Sequence, residues 1–292
     1  MDYIAGNTGT NSFFGASDTF PLKLYAKDFD NNGSIDPIIT VYLKDEQGNR
    51  KEFPAFNRDD IVNQLPYLKK KFLTYKEFGA AGIHEIFDDD ELKDAQVLQA
   101  NCLSSAYIEN AGNGKFQFHG LPVQAQLAPL NGMIADDFNN DGNLDIAVCG
   151  NDFGNEVTDG RYDAMNGLVL SGDGKGNFAP QTILQSGFFI PGDAKALVSL
   201  RGAGNRYLIA ASQNRDALKL FCKKDTAQIF ITVNTNDKIV LLTLYDGSTR
   251  KQELYYGNSF LSQAARFVCI GSHIKKAAVV DNSGIERIVF SR

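Results

Sequence analysis

Two stretches of nearly the same pattern, DFDNNGSID at 28–36 and DFNNDGNLD at 137–145, decide how this chain is read. In each, acidic or amide side chains fill alternate positions, and a glycine (Gly33, Gly142) stands sixth. Ca²⁺ is a hard cation that takes about six to eight oxygens. A short loop supplies them when such side chains alternate and one glycine permits the tight turn. The first loop offers Asp28, Asp30, Asn32, the Ser34 carbonyl and Asp36. The second offers Asp137, Asn139, Asp141, the Asn143 carbonyl and Asp145. An EF-hand would need a bidentate Glu at position twelve between helices, but Ile39 and Val148 stand there, in strand-like runs. The bland alternative is a pair of solvated Asx turns. Two copies with one spacing and one glycine favour Ca²⁺ at two structural sites. Mg²⁺, which keeps more waters and demands tighter geometry, fits less well.

Outward from these loops, apolar and polar residues alternate with the period of strands. LKLYA (22–26), DPIITVYL (36–43), LDIAVCG (144–150), GLVLSG (167–172) and RYLIAAS (206–212) are expected strands, separated by Gly- and Asn-rich turns. A second motif also repeats, NAGNGKF at 110–116 and GDGKGNF at 172–178. The Asp loop leads the Gly turn by 35 residues in the later copy and by 82 in the earlier one. The excess is accounted for by residues 57–100, which carry helix signals. Asn57 can cap a first turn, Thr74 and Glu77 form a capping-box pair, and Asp89 or Asp90 can start a helix running through Leu92 and Val97. A third copy is expected from Asp193, with strands at 194–200, 206–212 and 217–222 and its Asp loop decayed to LRGAGNR. The last strands, near 238–244, 250–255, 266–270, 276–280 and 286–290, lack an Asp loop, so a domain boundary is expected at 224–237. The expected fold is all-β with a helical insertion.

The 292 residues are 43% hydrophobic and carry a formal charge of -6, enough for a real core and the wrong sign for nucleic acid. No apolar run is long enough to span a membrane. No signal peptide is visible, so the protein is either cytosolic or its export signal lies elsewhere. Cys102, Cys149, Cys222 and Cys269 are scattered among apolar neighbours and are expected as buried thiols. GDGKGN lacks the helix that a phosphate loop opens and is expected to be a β-turn. His84, His119 and His273 have no spaced partners. The loop GRYDAMNG (160–167) is aromatic and charged, and it offers Arg161, Tyr162 and Asp163 as candidate ligand contacts.

DFDNNGSIDPI, DFNNDGNLDIAV and GDGKGNF resemble the FG-GAP/VCBS repeats of integrin-α-like propellers. RDDIVNQLPYLKKKFLTYKEF is similar to bacterial relatives of cartilage acidic protein. ELYYGNSFLSQAARFVCIG, followed by AAVVDNSGIERIVF, resembles the ASPIC/UnbV module that ends such proteins. The resemblance implies a partial β-propeller of about three blades over 1–224, then a small β-domain at 238–292. It also implies Ca²⁺ in blade loops and an exported protein at the bacterial cell surface or in the periplasm, binding a protein or a glycan rather than catalysing. Three blades do not close a propeller. Further blades are then expected before this chain, or its raw sheet edges favour self-association. The alternative is a glycan-active hydrolase or lyase with a site between the helical stretch and the 160–167 loop, where Asp163 and Glu85 are the carboxylates to inspect.

Overall fold

The computed structural model describes residues 1–156, 160–224, 229–257 and 259–292. Among the described residues, strand outweighs helix, 43% against 13%, and the strands form several small sheets with no closed barrel. The chain divides into two compact units, one of Met1–Asn11 with Ser104–Arg292 and one of Ser12–Leu103. The expected boundary at 224–237 includes 225–228, which lie outside the described residues.

The larger unit opens with β1 (Tyr3–Ala5). Its partner strand comes only after the whole of the smaller unit. That unit is a sheet of β2 (Leu22–Lys27), β3 (Asp36–Lys44), β4 (Arg50–Pro54) and β5 (Gln96–Ala100), in the order β4-β3-β2-β5. Between β4 and β5 run five short helices: α1 (Arg58–Gln64), α2 (Leu68–Lys71), α3 (Tyr75–Ala80), α4 (Ile83–Ile86) and α5 (Asp89–Leu92). Asn57 caps α1 through the Asp60 N–H, and Thr74 with Glu77 makes the expected capping box on α3. Each helix is too short to hold its shape alone. Burial holds them instead: Ile61, Leu65, Leu68, Phe78, Ile83, Ile86 and Phe87 pack with Tyr25 and Ile38 of the sheet. The helical stretch ends sooner than expected. Asp88 rather than Asp89 or Asp90 caps the last helix, and Val97 lies in β5, paired with Tyr25.

The larger unit continues with β6 (Ala106–Gly112) and β7 (Lys115–Gly120), which complete the sheet β1-β6-β7. A four-stranded meander follows: β8 (Leu130–Asp136), β9 (Asp145–Gly150), β10 (Leu168–Gly172) and β11 (Phe178–Pro180). Then come β12 (Ala194–Gly202), β13 (Arg206–Gln213) and β14 (Lys219–Cys222) as a third sheet. β15 (Ile229–Thr232) pairs with β18 (Phe267–Ile270). β16 (Asp237–Leu244), β17 (Thr249–Glu253), β19 (Ile274–Asp281) and β20 (Glu286–Ser291) form the last sheet, in the order β17-β16-β19-β20.

These sheets stack face to face. β9 is buried along its whole length, and its alternation divides it between two cores. Ile146 and Val148 face a core shared with Ile4 and Tyr107 of the first sheet. Ala147 and Cys149 face one shared with Leu197 and Ile209 of the third sheet and with Phe230 of β15. Val268 and Ile270 of β18 then meet Val240, Leu242, Ala277 and Val279 of the last sheet.

The two sequence repeats do not fold as two equivalent sheets. In the later copy, the Asp-loop hairpin β8–β9 and the Gly-turn hairpin β10–β11 share one meander. In the earlier copy they part company. β4 takes the free edge of β3, so the Gly-turn hairpin β6–β7 pairs with β1 instead.

Candidate metal loops

Both Asp loops bridge consecutive antiparallel strands, β2 to β3 and β8 to β9. Their hydrogen-bond frames share five bonds. The amide at position five donates to the Oδ1 of position one, Asn32 to Asp28 (3.0 Å) and Asp141 to Asp137 (3.1 Å). It also donates to the Oδ1 of position three, in Asp30 (3.1 Å) and Asn139 (2.9 Å). The glycine amides donate to the second oxygen of position one, Gly33 to Asp28 (2.8 Å) and Gly142 to Asp137 (3.1 Å). Position seven donates to position five, Ser34 to Asn32 (2.8 Å) and Asn143 to Asp141 (2.7 Å). Asp36 and Asp145 close the loops by accepting the Phe29 and Phe138 amides. Gly33 and Gly142 lie at φ +88° and +90°, a conformation that side-chain-bearing residues resist.

The closing carboxylates are deeply set, Asp36 at 4% exposure and Asp145 at 0%. Burial pushes the Asp145 carboxyl up against the pull of the Gly172, Phe138 and Asn139 amides. The Gly33 amide holds the Asp28 carboxyl below its usual range. Among the described residues, no ion pair involves any of the six loop aspartates. In the first loop, carboxylate oxygens of Asp28, Asp30 and Asp36 lie within 4.8 Å of one another. The donor set is therefore all oxygen, acidic and convergent, which is what a hard divalent cation takes. The second loop exchanges the amide and the carboxylate at positions three and five. There Asn139 Nδ2 donates to Asp141 Oδ2 (2.9 Å), so its three carboxylates are not gathered as closely.

The remaining candidates take structural places. Tyr162 exchanges backbone hydrogen bonds with Asp152 (2.9 Å each way) and packs on the core below, while Arg161 lies over the Phe153 ring. Asp163 is exposed. Glu85 bonds Lys51 (2.5 Å) and the Gly82 amide at the start of α4. GDGKGN is a turn closed on Asp173, as expected. The thiols correct the expectation of general burial. Only Cys149 is buried, its pKa pushed up to about 11 by desolvation, and Cys222 is exposed. The four cysteines form no disulfide.

Sequence reasoning missed the partners of the second loop. Lys223 Nζ donates to the Asp137 carbonyl (2.6 Å) and to Asn140 Oδ1 (2.8 Å). His273 Nε2 donates to the Asn140 carbonyl (2.5 Å), and Arg250 donates to the Gly142 carbonyl. These residues lie 83 to 133 positions away in the chain, beyond any local pattern.

No protein-family model matches this chain, and no curated protein matches it. Among the described residues, no helix is long and apolar enough to cross a membrane.

Proposed function

We propose that this chain is a non-enzymatic Ca²⁺-binding module of the FG-GAP/VCBS propeller kind, working in protein or glycan recognition at the bacterial cell surface. One observation carries the metal part: two loops with a shared hydrogen-bond frame, each holding three aspartates that no cationic side chain pairs among the described residues. Asp28, Asp30, Asn32 and Asp36 would hold one ion, and Asp137, Asn139, Asp141 and Asp145 the other. The Ser34 and Asn143 carbonyls would complete the two sets. The face-to-face stack of small sheets supports the blade reading, since each blade of a propeller is covered on both faces by its neighbours. An ion bound at each strand junction would fix the loop and leave the recognition surface elsewhere. The recognition part rests on fold analogy. At the cell surface, where Ca²⁺ is plentiful, affinities of about 10⁻⁴–10⁻³ M suffice to keep such sites filled.

Isothermal titration of the protein with Ca²⁺ is expected to give two ions bound per chain. No heat on titration, together with a melting temperature indifferent to EGTA, would sink the proposal.

A further inference from the structure

The two loops share a frame but not surroundings. A side chain at Gly33 would meet nothing within 4 Å, and Asn32, Ser34 and Ile35 are exposed. A side chain at Gly142 would meet the His273 ring at 3.3 Å. The second loop is thus partly covered, although Asn139, Asp141 and Leu144 stay exposed, and three cationic or ring side chains on it come from one part of the chain. Lys223 follows β14, Arg250 lies in β17, and His273 stands in the turn between β18 and β19. Gly271, in the same turn, lies beside Asp137 Oδ2.

The contacts have a pattern. Lys223, His273 and Arg250 take the backbone carbonyls of Asp137, Asn140 and Gly142, which are positions one, four and six of the loop. A metal in this loop would use the side chains of positions one, three, five and nine and the carbonyl of position seven. The two sets of oxygens do not overlap. The loop therefore has an inner face of side-chain oxygens and an outer face of carbonyls, joined by one short backbone. Asn140 sits at φ +61°, so its carbonyl direction depends on the loop keeping its turn. Asp137, Asp141 and Asp145 bring three negative side chains into one nine-residue loop, and no ion pair to them is formed among the described residues, so their mutual repulsion is eased by a cation or a proton on that face. Whatever fixes the inner face then fixes the direction of the outer carbonyls.

We infer that the second loop is a docking joint: an ion on its inner face orders the outer carbonyls that Lys223, Arg250 and His273 grip, so Ca²⁺ and the seating of the last sheet (β16, β17, β19, β20) are thermodynamically linked. The carbonyls of the first loop have no such grip among the described residues; Gln64 Nε2 of α1 donates to Asp36 Oδ1 (3.2 Å), so its ion acts within the smaller unit. The inference rests on the Ca²⁺ reading above. Linkage of this kind is reciprocal: a sheet that seats better on the loaded loop must also raise the affinity of that loop for the ion.

The test uses the full chain and the metal alone. Hydrogen exchange of amides in β16 and β19 is followed with Ca²⁺ and with EGTA, beside calorimetric counting of bound ions. The wild type is expected to bind two ions and to show exchange in the last sheet slowed severalfold by Ca²⁺. Asp141→Asn is expected to bind one ion and to lose that slowing. Asp30→Asn, in the first loop, is expected to bind one ion and to keep it. The double variant Arg250→Met, His273→Ala is expected to bind two ions, with the second weakened, and to lose the slowing. Its retained, weakened second ion shows that the larger unit is still folded. Two ions bound with exchange in the last sheet unmoved by Ca²⁺ would overturn the inference and leave the metal reading standing. Equal loss in Asp30→Asn and Asp141→Asn would also overturn it, because it would make the effect general stabilisation. No ion bound at all overturns the metal reading, and the inference with it.

Discussion

Ile146 and Ala147 are chain neighbours in β9, yet they belong to different cores. Ile146 meets the side of the meander that faces β1 and β6, and Ala147 meets the side that faces β12 and β13. Truncating Ile146 to Ala is expected to cost about 2–5 kcal/mol, the usual range for a large buried aliphatic residue. Enlarging Ala147 to Leu is expected to cost about 1–3 kcal/mol by overpacking. Chemical denaturation of each variant measures both. A neutral Ile146→Ala would mean that the first sheet is not seated on the meander.

Removing the metal is expected to lower the melting temperature. With free Ca²⁺ at about a hundred times the dissociation constant, each site adds about 2.7 kcal/mol to stability. Asp145→Asn should cost more than Asp30→Asn even in EGTA. Asp145 accepts the Gly172, Phe138 and Asn139 amides, whereas Asp30 accepts only the Asn32 amide among the described residues. Differential scanning calorimetry of the pair, with and without EGTA, checks the order.

Lys23 and Glu52 form an ion pair at 2.7 Å on the sheet of the smaller unit. Thr40 (2.6 Å) and Tyr42 (2.8 Å) also donate to the Glu52 carboxylate. Burial pushes the Glu52 carboxyl up, but bonds from Lys23, Thr40 and Tyr42 together outweigh it and hold it below its usual range. A carboxyl lowered on folding adds stability above its unfolded pKa of about 4.3, and that stability is lost as pH falls through the folded value. Burial lowers the Lys23 amine, but its bonds to Glu52 and Tyr42 prevail and raise it. Its contribution is therefore complete below about pH 10 and is lost only in strong alkali. Lys23→Met is expected to cost about 3 kcal/mol at neutral pH, the low end for a broken buried pair, because Lys23 keeps 20% of its side chain exposed. Urea unfolding at pH 7 and pH 3 checks the sign: the gap between wild type and Lys23→Met should narrow in acid.

Thr74 caps α3 through the Glu77 amide at 3.2 Å, and Glu77 reaches back to the Thr74 amide at 3.0 Å. Thr74→Ala is expected to cost about 1 kcal/mol. Thr74→Ser should recover most of it, and thermal unfolding of the two variants separates the lost cap from a lost methyl group.

The hairpins were legible because strand period and turn chemistry are local. DPIITVYL and LDIAVCG are short, mostly apolar runs of strand length, each following an Asp-rich turn, and Asn31, Gly33, Asn140 and Gly142 stand where positive φ is needed. The caps at Asn57 and Thr74 were legible for the same reason. Sheet membership was not. Gln96–Ala100 is almost wholly exposed and has no apolar face, so only its pairing with β2 makes it a strand. Likewise nothing in RKEFP announces that it takes the edge of β3 and turns away the hairpin that the sequence repeat puts next. For the metal loops, the frame was legible and the covering was not. The aspartates are a local pattern, whereas Lys223, Arg250 and His273 are ordinary surface residues until the fold brings them to a carbonyl.

The pairing of β1 with β6 sets the order in which the protein can fold. Tyr3 lies opposite Ile108, with the entire smaller unit strung between them. Closing a loop of that length by chance is slow, and its contacts reward the chain only after closure. The smaller unit has its own core, whose residues lie near one another along the chain, so it can condense first and shorten the effective loop. On a ribosome this makes β1 the last strand of its sheet to settle, although it is the first to emerge. Until β6 and β7 arrive it is an unpaired edge waiting on another unit, which makes it the point where a crowded refolding reaction goes astray.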